Sequence, residues 1–414
     1  MNFYNTFHPI PTINIWKGTL NMTNASKKLS NLLTIFLISF RLGCTSFGGP
    51  IAHLGYFQET YVRNKRWIDE HTYANLVALS QFLPGPASSQ VGIGIGIIRG
   101  GIIGGIISFI GFTLPSVLIL ILFALFTGQT NLSDAGWIQG LKLVAVAVVA
   151  HAVLGMSQKL TANSITKGIA LGALVLTLLW PHQSSQLLAL LLAAGVGYFL
   201  LRPNQKGEES GHLHISISKR TGAICLSLFF LLLAGLPMIR AITDSPFLAM
   251  ADSFYRSGSL VFGGGHVVLP LLEREFVPSG LISQQDFLAG YGAAQAVPGP
   301  LFTFAAYLGT VLYGWQGGLL ATAAIFLPAF LLLIGALPFW TSLQKNSSFR
   351  KAFAGINAAV VGILISAFFI PIWSSTIHTA TDIALAVIFY CLLAFWKVPA
   401  WIIVFLGAAC GLIL

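Results

Sequence analysis

Residues Arg41–Pro50 read R-L-G-C-T-S-F-G-G-P, and residues Arg256–Gly265 read R-S-G-S-L-V-F-G-G-G. The arginine, the first glycine and the F-G-G triplet therefore recur about 215 positions later in the chain. The motif Q-F-L-P-G-P at Gln81–Pro86 returns at nearly the same spacing as Q-A-V-P-G-P at Gln295–Pro300. Recurrence of arginine, glycine and proline at one spacing indicates two copies of a single unit.

Composition places most of this chain in lipid. The chain is 56% hydrophobic and 8% charged, with a mean hydropathy of +0.82, whereas soluble proteins carry about 25% charged residues. These values exclude a soluble globular fold and predict a polytopic protein of the lipid bilayer. The net charge of +10 indicates basic cytoplasmic loops rather than nucleic acid binding. The four cysteines lie in apolar segments without metal-ligand spacing, so we predict no metal and no cofactor.

The apolar segments predict an all-α fold in which each unit has about four spanning helices. The spanning helices are expected at 101–127, 137–157, 165–180 and 185–202, and again at 315–340, 352–372, 380–396 and 398–414, with a connector helix at 221–241. Segments 31–62, 73–98, 246–275 and 286–313 are interrupted by F-G-G or P-G-P. Because proline and paired glycines end helices, we interpret these four segments as half-helices that enter the membrane and return.

The distribution of basic residues predicts an inverted arrangement. With the N-terminus in the cytoplasm and the broken segments re-entrant, basic residues outside the membrane fall on the cytoplasmic side, except Arg240 and Arg274. The single connector helix then makes the second unit start on the opposite face. The predicted organisation is a polar tail at 1–30, a first membrane repeat at 31–202, a cytoplasmic loop and connector at 203–245, and a second repeat at 246–414.

The interruptions are the predicted ligand site. Inverted repeats with broken helices are typical of secondary transporters, which bind substrate where half-helix ends meet. Helix N-termini carry unpaired N–H groups and partial positive charge, so several converging ends favour an anion. The alternative is that these breaks are packing kinks. The break residues in the predicted site are Phe47, Gly48, Gly49, Pro84, Gly85, Pro86, Phe262, Gly263, Gly264, Pro298, Gly299 and Pro300.

Two arginines precede the F-G-G breaks in apolar surroundings. A charge inside a membrane is costly, so Arg41 and Arg256 are candidates for substrate binding or gating. The alternatives are extension to the interface or pairing with a carboxylate. Asp252 lies four residues before Arg256, at ion-pair spacing on a helix, whereas Leu37 occupies that place before Arg41.

Neutral hydrogen-bonding residues and one lysine complete the predicted site. Lys142 is equivalent to Asn357 in the second copy, which fits an asymmetric site, although Lys142 can also reach the interface. Hydroxyl and amide donors suit an oxyanion but also serve ordinary helix–helix contacts. The remaining predicted substrate-binding residues are Ser46, Gln81, Ser88 and Gln295. His53 and His266 flank the breaks, and histidines can relay protons near neutral pH. The two do not align with each other, so we expect a structural role for both.

The motifs resemble those of a known family. The run R-L-G-C-T-S-F-G-G-P-I-A-H-L-G-Y-F, followed by W-I-D-E, Q-F-L-P-G-P and G-F-T-L-P-S, is similar to the chromate ion transporter family. F-G-G-G-H-V-V-L-P-L-L and Q-A-V-P-G-P resemble its C-terminal repeat, so the likeness is to a two-repeat, long-chain member. The family positions carried over are Arg41, Phe47, Gly48, Gly49, Pro50, Pro84, Gly85 and Pro86; Gly265 replaces Pro50 in the second half.

This resemblance implies a multi-pass protein of the bacterial inner membrane that exports chromate, with sulfate as a competing oxyanion, driven by the proton-motive force. Export of a dianion can also be driven by the membrane potential alone. An anion channel, or a carrier for another small inorganic anion, is the alternative on the same scaffold. An enzyme is disfavoured, since only 12 acidic residues are present. A homodimer is left open.

Overall fold

A computed structural model describes residues 24–47, 49–127, 136–180, 183–201, 217–261, 268–340, 346–374 and 376–413. All regular structure in these ranges is helical, which confirms the all-α prediction. The predicted site residues Gly48, Phe262, Gly263 and Gly264 lie outside the described residues, as does His266.

The first repeat contains seven helices within the described ranges. They are α1 (Asn24–Thr45), α2 (Gly49–Phe57), α3 (Glu70–Phe82), α4 (Ala87–Thr127), α5 (Gly136–Leu160), α6 (Ser164–Leu179) and α7 (Gln183–Leu200). A π-helical turn, Gln58–Asn64, continues α2, and the Asp69 side chain caps α3 by accepting from the Thr72 N–H. The first pair of helices meets at F-G-G, and α3 meets α4 at P-G-P, as predicted.

The second repeat follows the connector helix α8 (Lys219–Ile242) and has the same order of elements. Its helices are α9 (Pro246–Leu260), α10 (Val268–Phe276), α11 (Gln284–Ala296), α12 (Phe304–Ala336), α13 (Ser347–Ala367), α14 (Ala380–Ala394) and α15 (Ala400–Ile413). A 3₁₀ turn, Leu301–Thr303, precedes α12, and a π-helical turn, Phe368–Trp373, follows α13.

The two longest helices are broken at equivalent places. In α4, Gly100 has φ −142° and ψ 19°, and Gly101 has φ 67° and ψ −166°. In α12, Tyr313 has φ −141° and ψ 33°, and Gly314 has φ 65° and ψ −169°. Glycine is needed at the second residue of each kink because other residues rarely adopt a positive φ. The same two-residue conformation in both halves shows that the repeat seen in sequence is a repeat of structure.

The helices of the two repeats interlock. Within each half the first helix packs on the longest one, α1 on α4 and α9 on α12, and α4 also packs against α12. The terminal helices cross over: α6 and α7 pack on α13, while α14 and α15 pack on α5. Small residues allow these crossings, since Gly140 of α5 lies against the Gly407 carbonyl and Gly355 of α13 against the Ala193 carbonyl.

Five helices of the described chain are long and apolar enough to cross a membrane: they lie within 87–127, 139–158, 219–242, 301–339 and 347–370. Their outward faces are strongly apolar, with Leu122, Phe126, Phe230 and Leu231 all more than half exposed. Such a surface fits lipid rather than water. The inverted orientation of the two halves stays a prediction.

Candidate functional site

Two backbone hydrogen bonds join the breaks of one repeat to those of the other. The Gly85 N–H donates to the Val261 carbonyl over 2.7 Å, and the Gly299 N–H donates to the Ser46 carbonyl over 2.9 Å. Ser46 and Val261 are equivalent residues, each directly before its F-G-G triplet, and Gly85 and Gly299 are the central residues of the two P-G-P motifs. Each P-G-P therefore contacts the residue directly before the F-G-G of the other half, so the interruptions are paired across the two repeats.

The P-G-P turns have one conformation in both halves. Gly85 has φ +112° and Gly299 has φ +109°, a region that favours glycine. A Cβ on Gly85 would lie 3.1 Å from the Ala329 Cβ, and one on Gly299 would lie 2.9 Å from the Ser116 Oγ. Each P-G-P turn therefore packs closely against the longest helix of the other repeat, Gly85 against α12 and Gly299 against α4.

A helix N-terminus opens at this junction. The Gln90 N–H donates to the Pro86 carbonyl, so the first three N–H groups of α4, at Ala87, Ser88 and Ser89, have no partner within the helix. They carry the positive end of the helix dipole. Ser88 and Ser89 are buried, which places these donors away from bulk solvent at the meeting point of the repeats.

Several buried side-chain nitrogen and oxygen atoms near the breaks have no hydrogen-bond partner among the described residues. Gln90 donates from Nε2 to the Pro84 carbonyl over 2.9 Å, but its Oε1 has no partner in the described chain. An unsatisfied buried polar atom costs about 1–3 kcal/mol, so a group of them indicates a place for water or a polar ligand. The atoms of this kind on the helices around the breaks are Ser46 Oγ, Ser80 Oγ, Ser89 Oγ, Gln90 Oε1, Thr113 Oγ1, Gln295 Nε2 and Asn357 Oδ1.

His53 connects the two breaks of the first repeat. Its Nε2 lies 3.1 Å from the Ser46 carbonyl, its Nδ1 lies 3.3 Å from the Ser88 Oγ, and its ring packs edge-on against Phe112. Because a carbonyl only accepts, Nε2 carries the hydrogen, and in the neutral ring Nδ1 accepts from the Ser88 hydroxyl. The structural role of His53 is therefore to hold the end of α1 and the start of α4 together through its two ring nitrogens. Sequence spacing alone did not indicate these contacts.

Arg256 is held by carboxylates. Its Nε donates to Asp252 Oδ1 over 3.0 Å and its Nη2 to Asp252 Oδ2 over 2.9 Å, as the four-residue spacing predicted. The same Nη2 lies 2.9 Å from Glu275 Oε1, and Arg240 from the connector helix pairs with both acids. This cluster of Arg240, Asp252, Arg256 and Glu275 contains two charges of each sign and therefore offers an anion no net attraction.

Breaking this cluster is expected to destabilise the second repeat. The Asp252 side chain is 1% exposed, so Asp252→Asn leaves two arginines without their shared buried carboxylate. We expect the free energy of unfolding to fall by about 2–3 kcal/mol, less than for fully buried partners because both arginines reach solvent. Unfolding of the purified protein by dodecyl sulfate measures this change. Asp244→Asn, in the exposed turn before α9, is the control, and equal stability of both variants would contradict the prediction.

Arg41 differs from its counterpart. It is exposed on α1, and no ion pair among the described residues includes it. Its own carbonyl accepts from the Thr45 hydroxyl, while its guanidinium remains available in this structure. The two equivalent arginines thus have different surroundings: Arg256 is paired with carboxylates, whereas Arg41 is exposed.

Lys142 and Asn357 occupy equivalent helices beside the P-G-P helices. Lys142 is 9% exposed on α5, which packs on α11 with Leu141 against Gly292. Asn357 lies one turn after Phe353, whose ring stacks on Phe82 of α3 with centroids 4.0 Å apart. The structure therefore places one cationic and one amide side chain on the helices that support the two breaks.

The remaining predicted residues divide by position. Gln295 is half-buried and hydrogen-bonds the Tyr291 hydroxyl, whereas Gln81 is exposed. Phe47 packs against Trp401 of α15, with ring centroids 5.5 Å apart. Pro86 and Pro300 are buried, Pro84, Pro298 and Gly49 are half-buried, and the Pro300 carbonyl accepts from the Thr303 hydroxyl. Among the described residues, no three His, Cys, Asp or Glu side chains come together as metal ligands would.

Comparison with known proteins places the chain in a family. A family model described as chromate transporter matches residues 33–198 and 248–412. The chain belongs to this family. The two matched regions of this chromate transporter correspond to the two repeats, and the segment between them contains α8.

Relatives in the chromate transporter family extend along nearly the whole chain. The uncharacterized transporter MJ0718 of Methanocaldococcus jannaschii is 27% identical over 84% of this chain and 87% of its own length. A chromate transport protein of Cupriavidus metallidurans is 28% identical over 93% of each chain. A probable chromate transport protein of Synechococcus elongatus is 26% identical over 93% of this chain and 95% of its own. No solved structure matches the chain.

Membership of the chromate transporter family identifies the protein as a polytopic membrane transporter and not an enzyme. Of the residues predicted from sequence, Ser46, Gly85, Ser88 and Gly299 all take part in the hydrogen bonds of this junction or lie within its P-G-P turns. Arg256 lies in an ion-pair cluster instead.

Proposed function

We propose that this transporter exports an oxyanion, most specifically chromate, across the bacterial inner membrane, with sulfate-like dianions as competing substrates. The observation that carries this proposal is the pair of hydrogen bonds from Gly85 to Val261 and from Gly299 to Ser46, which joins each P-G-P turn to the end of the helix before the F-G-G of the other repeat. The names of the relatives from Cupriavidus metallidurans and Synechococcus elongatus support chromate as the substrate.

The chemistry of the junction suits a small anion. The N-terminus of α4 supplies N–H donors and partial positive charge, and the buried Ser89 Oγ and Gln295 Nε2 atoms lack partners in the described chain. Lys142 and Arg41 form no ion pair within the described ranges and supply cationic charge on the surrounding helices. Donors of this kind, without an unpaired acid among them, favour a tetrahedral oxyanion over a cation.

The negative charge of the substrate favours export. A membrane potential is worth about 2.3 kcal/mol per charge per 100 mV, so a dianion that leaves an inside-negative cell gains roughly 4.6 kcal/mol. Export is therefore favourable with the membrane potential alone, and a coupled proton adds to it. This energetic argument supports efflux in the proposed topology, with the N-terminus in the cytoplasm.

Uptake into inverted membrane vesicles tests the proposal. We expect saturable chromate uptake in vesicles that contain the protein, faster when the vesicle interior is held positive with potassium and valinomycin. Sulfate and molybdate, which are tetrahedral dianions, should compete, whereas phosphate, partly monoanionic at neutral pH, should compete less. Uptake that does not saturate would indicate a channel, and no uptake above that of vesicles without the protein would contradict the proposal.

A further inference from the structure

A pocket with an apolar wall and a few charged and hydrogen-bonding side chains lies apart from the break junction, between α6, α10, α11 and the end of α13. Its volume is about 190 Å³, and Thr177, Glu273, Arg274, Gln284, Ser366 and Ile370 are among its lining residues. Arg274 donates to the Ser185 and Ser366 hydroxyls, each over 3.4 Å. The pocket therefore combines one carboxyl group, one guanidinium and several neutral hydrogen-bonding groups from four helices.

Glu273 is the unusual member of this pocket. Glu273 is only 2% exposed. Its Oε1 accepts from the Gln284 Nε2 over 2.6 Å, and its Oε2 has no hydrogen-bond partner in the described chain. An ionised carboxylate with a bare buried oxygen is costly, and protonation of that oxygen removes the cost. Glu273 is thus a buried acid with one oxygen fixed and the other available to bind a proton from the pocket.

The first repeat contains the same contact with the acid and the amide exchanged. Gln58 aligns with Glu273 and Glu70 aligns with Gln284, and the Gln58 Nε2 donates to Glu70 Oε2 over 2.8 Å. Glu70 is exposed, whereas Glu273 is buried. One half therefore keeps the acid of this pair in solvent, and the other half buries it.

We propose that Glu273 is the proton-binding residue of the transport cycle, so that its protonation and deprotonation couple proton entry to anion export. This inference rests on the proposed function. The Oε2 atom takes a proton from water in the pocket and gives a neutral carboxylic acid, and release returns the proton to water and restores the carboxylate. No other co-reactant is needed.

The position of Glu273 connects this step to the anion site. Glu273 lies on α10, the half-helix that follows the second F-G-G, and α10 packs against α9 and α13. A change of charge on α10 therefore acts on the first described helix after this F-G-G. Arg274 of the same helix is the only other charged group among the described residues that line the pocket, and the groups contributed by α6, α11 and α13 are uncharged.

Two measurements on the purified, reconstituted protein test this inference. The first is infrared titration of the protonated carboxyl band, which we expect in the wild type and expect to be lost in Glu273→Gln. The second is proton movement, followed with an entrapped pH dye, when chromate is added to proteoliposomes. We expect Glu273→Gln to lower chromate-linked proton movement at least tenfold while chromate uptake driven by membrane potential persists.

Matched variants separate proton binding from loss of packing. Glu70→Gln changes the equivalent, exposed acid and should leave proton movement unchanged. Glu273→Gln combined with Gln284→Glu reproduces the arrangement of the first half, so it keeps the hydrogen-bonded pair and restores an acid to the pocket. Proton movement in Glu273→Gln equal to that of the wild type would overturn the inference and leave the proposed function intact. A wild type that moves no chromate would overturn the proposed function, and the infrared band would then show independently whether Glu273 binds a proton.

Discussion

Arg41→Gln is expected to abolish chromate transport while the protein remains folded in the membrane. Arg41 makes no ion pair among the described residues, whereas its counterpart Arg256 is bonded to Asp252 and Glu275. Loss of a charged hydrogen-bond donor costs about 1.5–3 kcal/mol, which lowers anion affinity roughly 10- to 100-fold. Uptake of chromate into inverted vesicles, measured below saturation, should therefore fall to background.

The matched control is Arg63→Gln. Arg63 is an exposed arginine on the π-helical turn after α2 and pairs with Glu59 over 3.3 Å, so its removal tests a general loss of positive charge. Arg41→Lys keeps the charge but not the planar set of donors and should retain partial activity. Size-exclusion chromatography in detergent checks folding. Normal transport by a folded Arg41→Gln protein would show that Arg41 only anchors α1 at the membrane interface.

Gly85→Ala and Gly299→Ala are expected to impair the protein to a similar degree. Both glycines have a φ near +110°, where another residue costs about 1–3 kcal/mol, and the added Cβ would press on Ala329 in one case and on Ser116 in the other. Each substitution also displaces an N–H that joins the two repeats. We expect lower resistance to unfolding by dodecyl sulfate, together with a loss of chromate uptake, in both variants.

Gly172→Ala provides the control for these substitutions. Gly172 lies inside α6, and a Cβ there would have no neighbour within 4 Å. Alanine is favoured over glycine in a helix by about 1 kcal/mol, so this variant should be as stable as the wild type or more stable. If Gly85→Ala and Gly299→Ala matched Gly172→Ala in stability and uptake, the breaks would not require close contact between the halves.

Most of the fold could be predicted from local signals in the sequence. Paired glycines and the P-G-P sequence interrupt helices, so the ends of α1 and α3 follow from F-G-G and P-G-P, and the kink within α4 follows from the Gly100-Gly101 pair. The repeat could be detected in the sequence because both halves adopt the same backbone conformations at equivalent positions, and these conformations require glycine or proline. Helix crossing was not predictable: that α6 and α7 pack on α13 depends on how small residues fit between distant segments.

The candidate site was predicted less completely. The pairing of each P-G-P with the opposite F-G-G needs three-dimensional contact between Gly85 and Val261, and no local pattern indicates it. His53 was assigned a structural role because His266 does not align with it, whereas the structure shows it bonded to Ser46 and Ser88. Glu273 was not singled out, although its alignment with Gln58 and that of Gln284 with Glu70 was a signal that could have found it.

The crossover of the terminal helices determines what can move. Helices α6 and α7 pack on α13, and α14 and α15 pack on α5. A rotation that moved residues 31–202 and 246–414 as two rigid bodies would therefore break both sets of packing contacts. Any alternation between inward- and outward-open states must instead move helices from both repeats together.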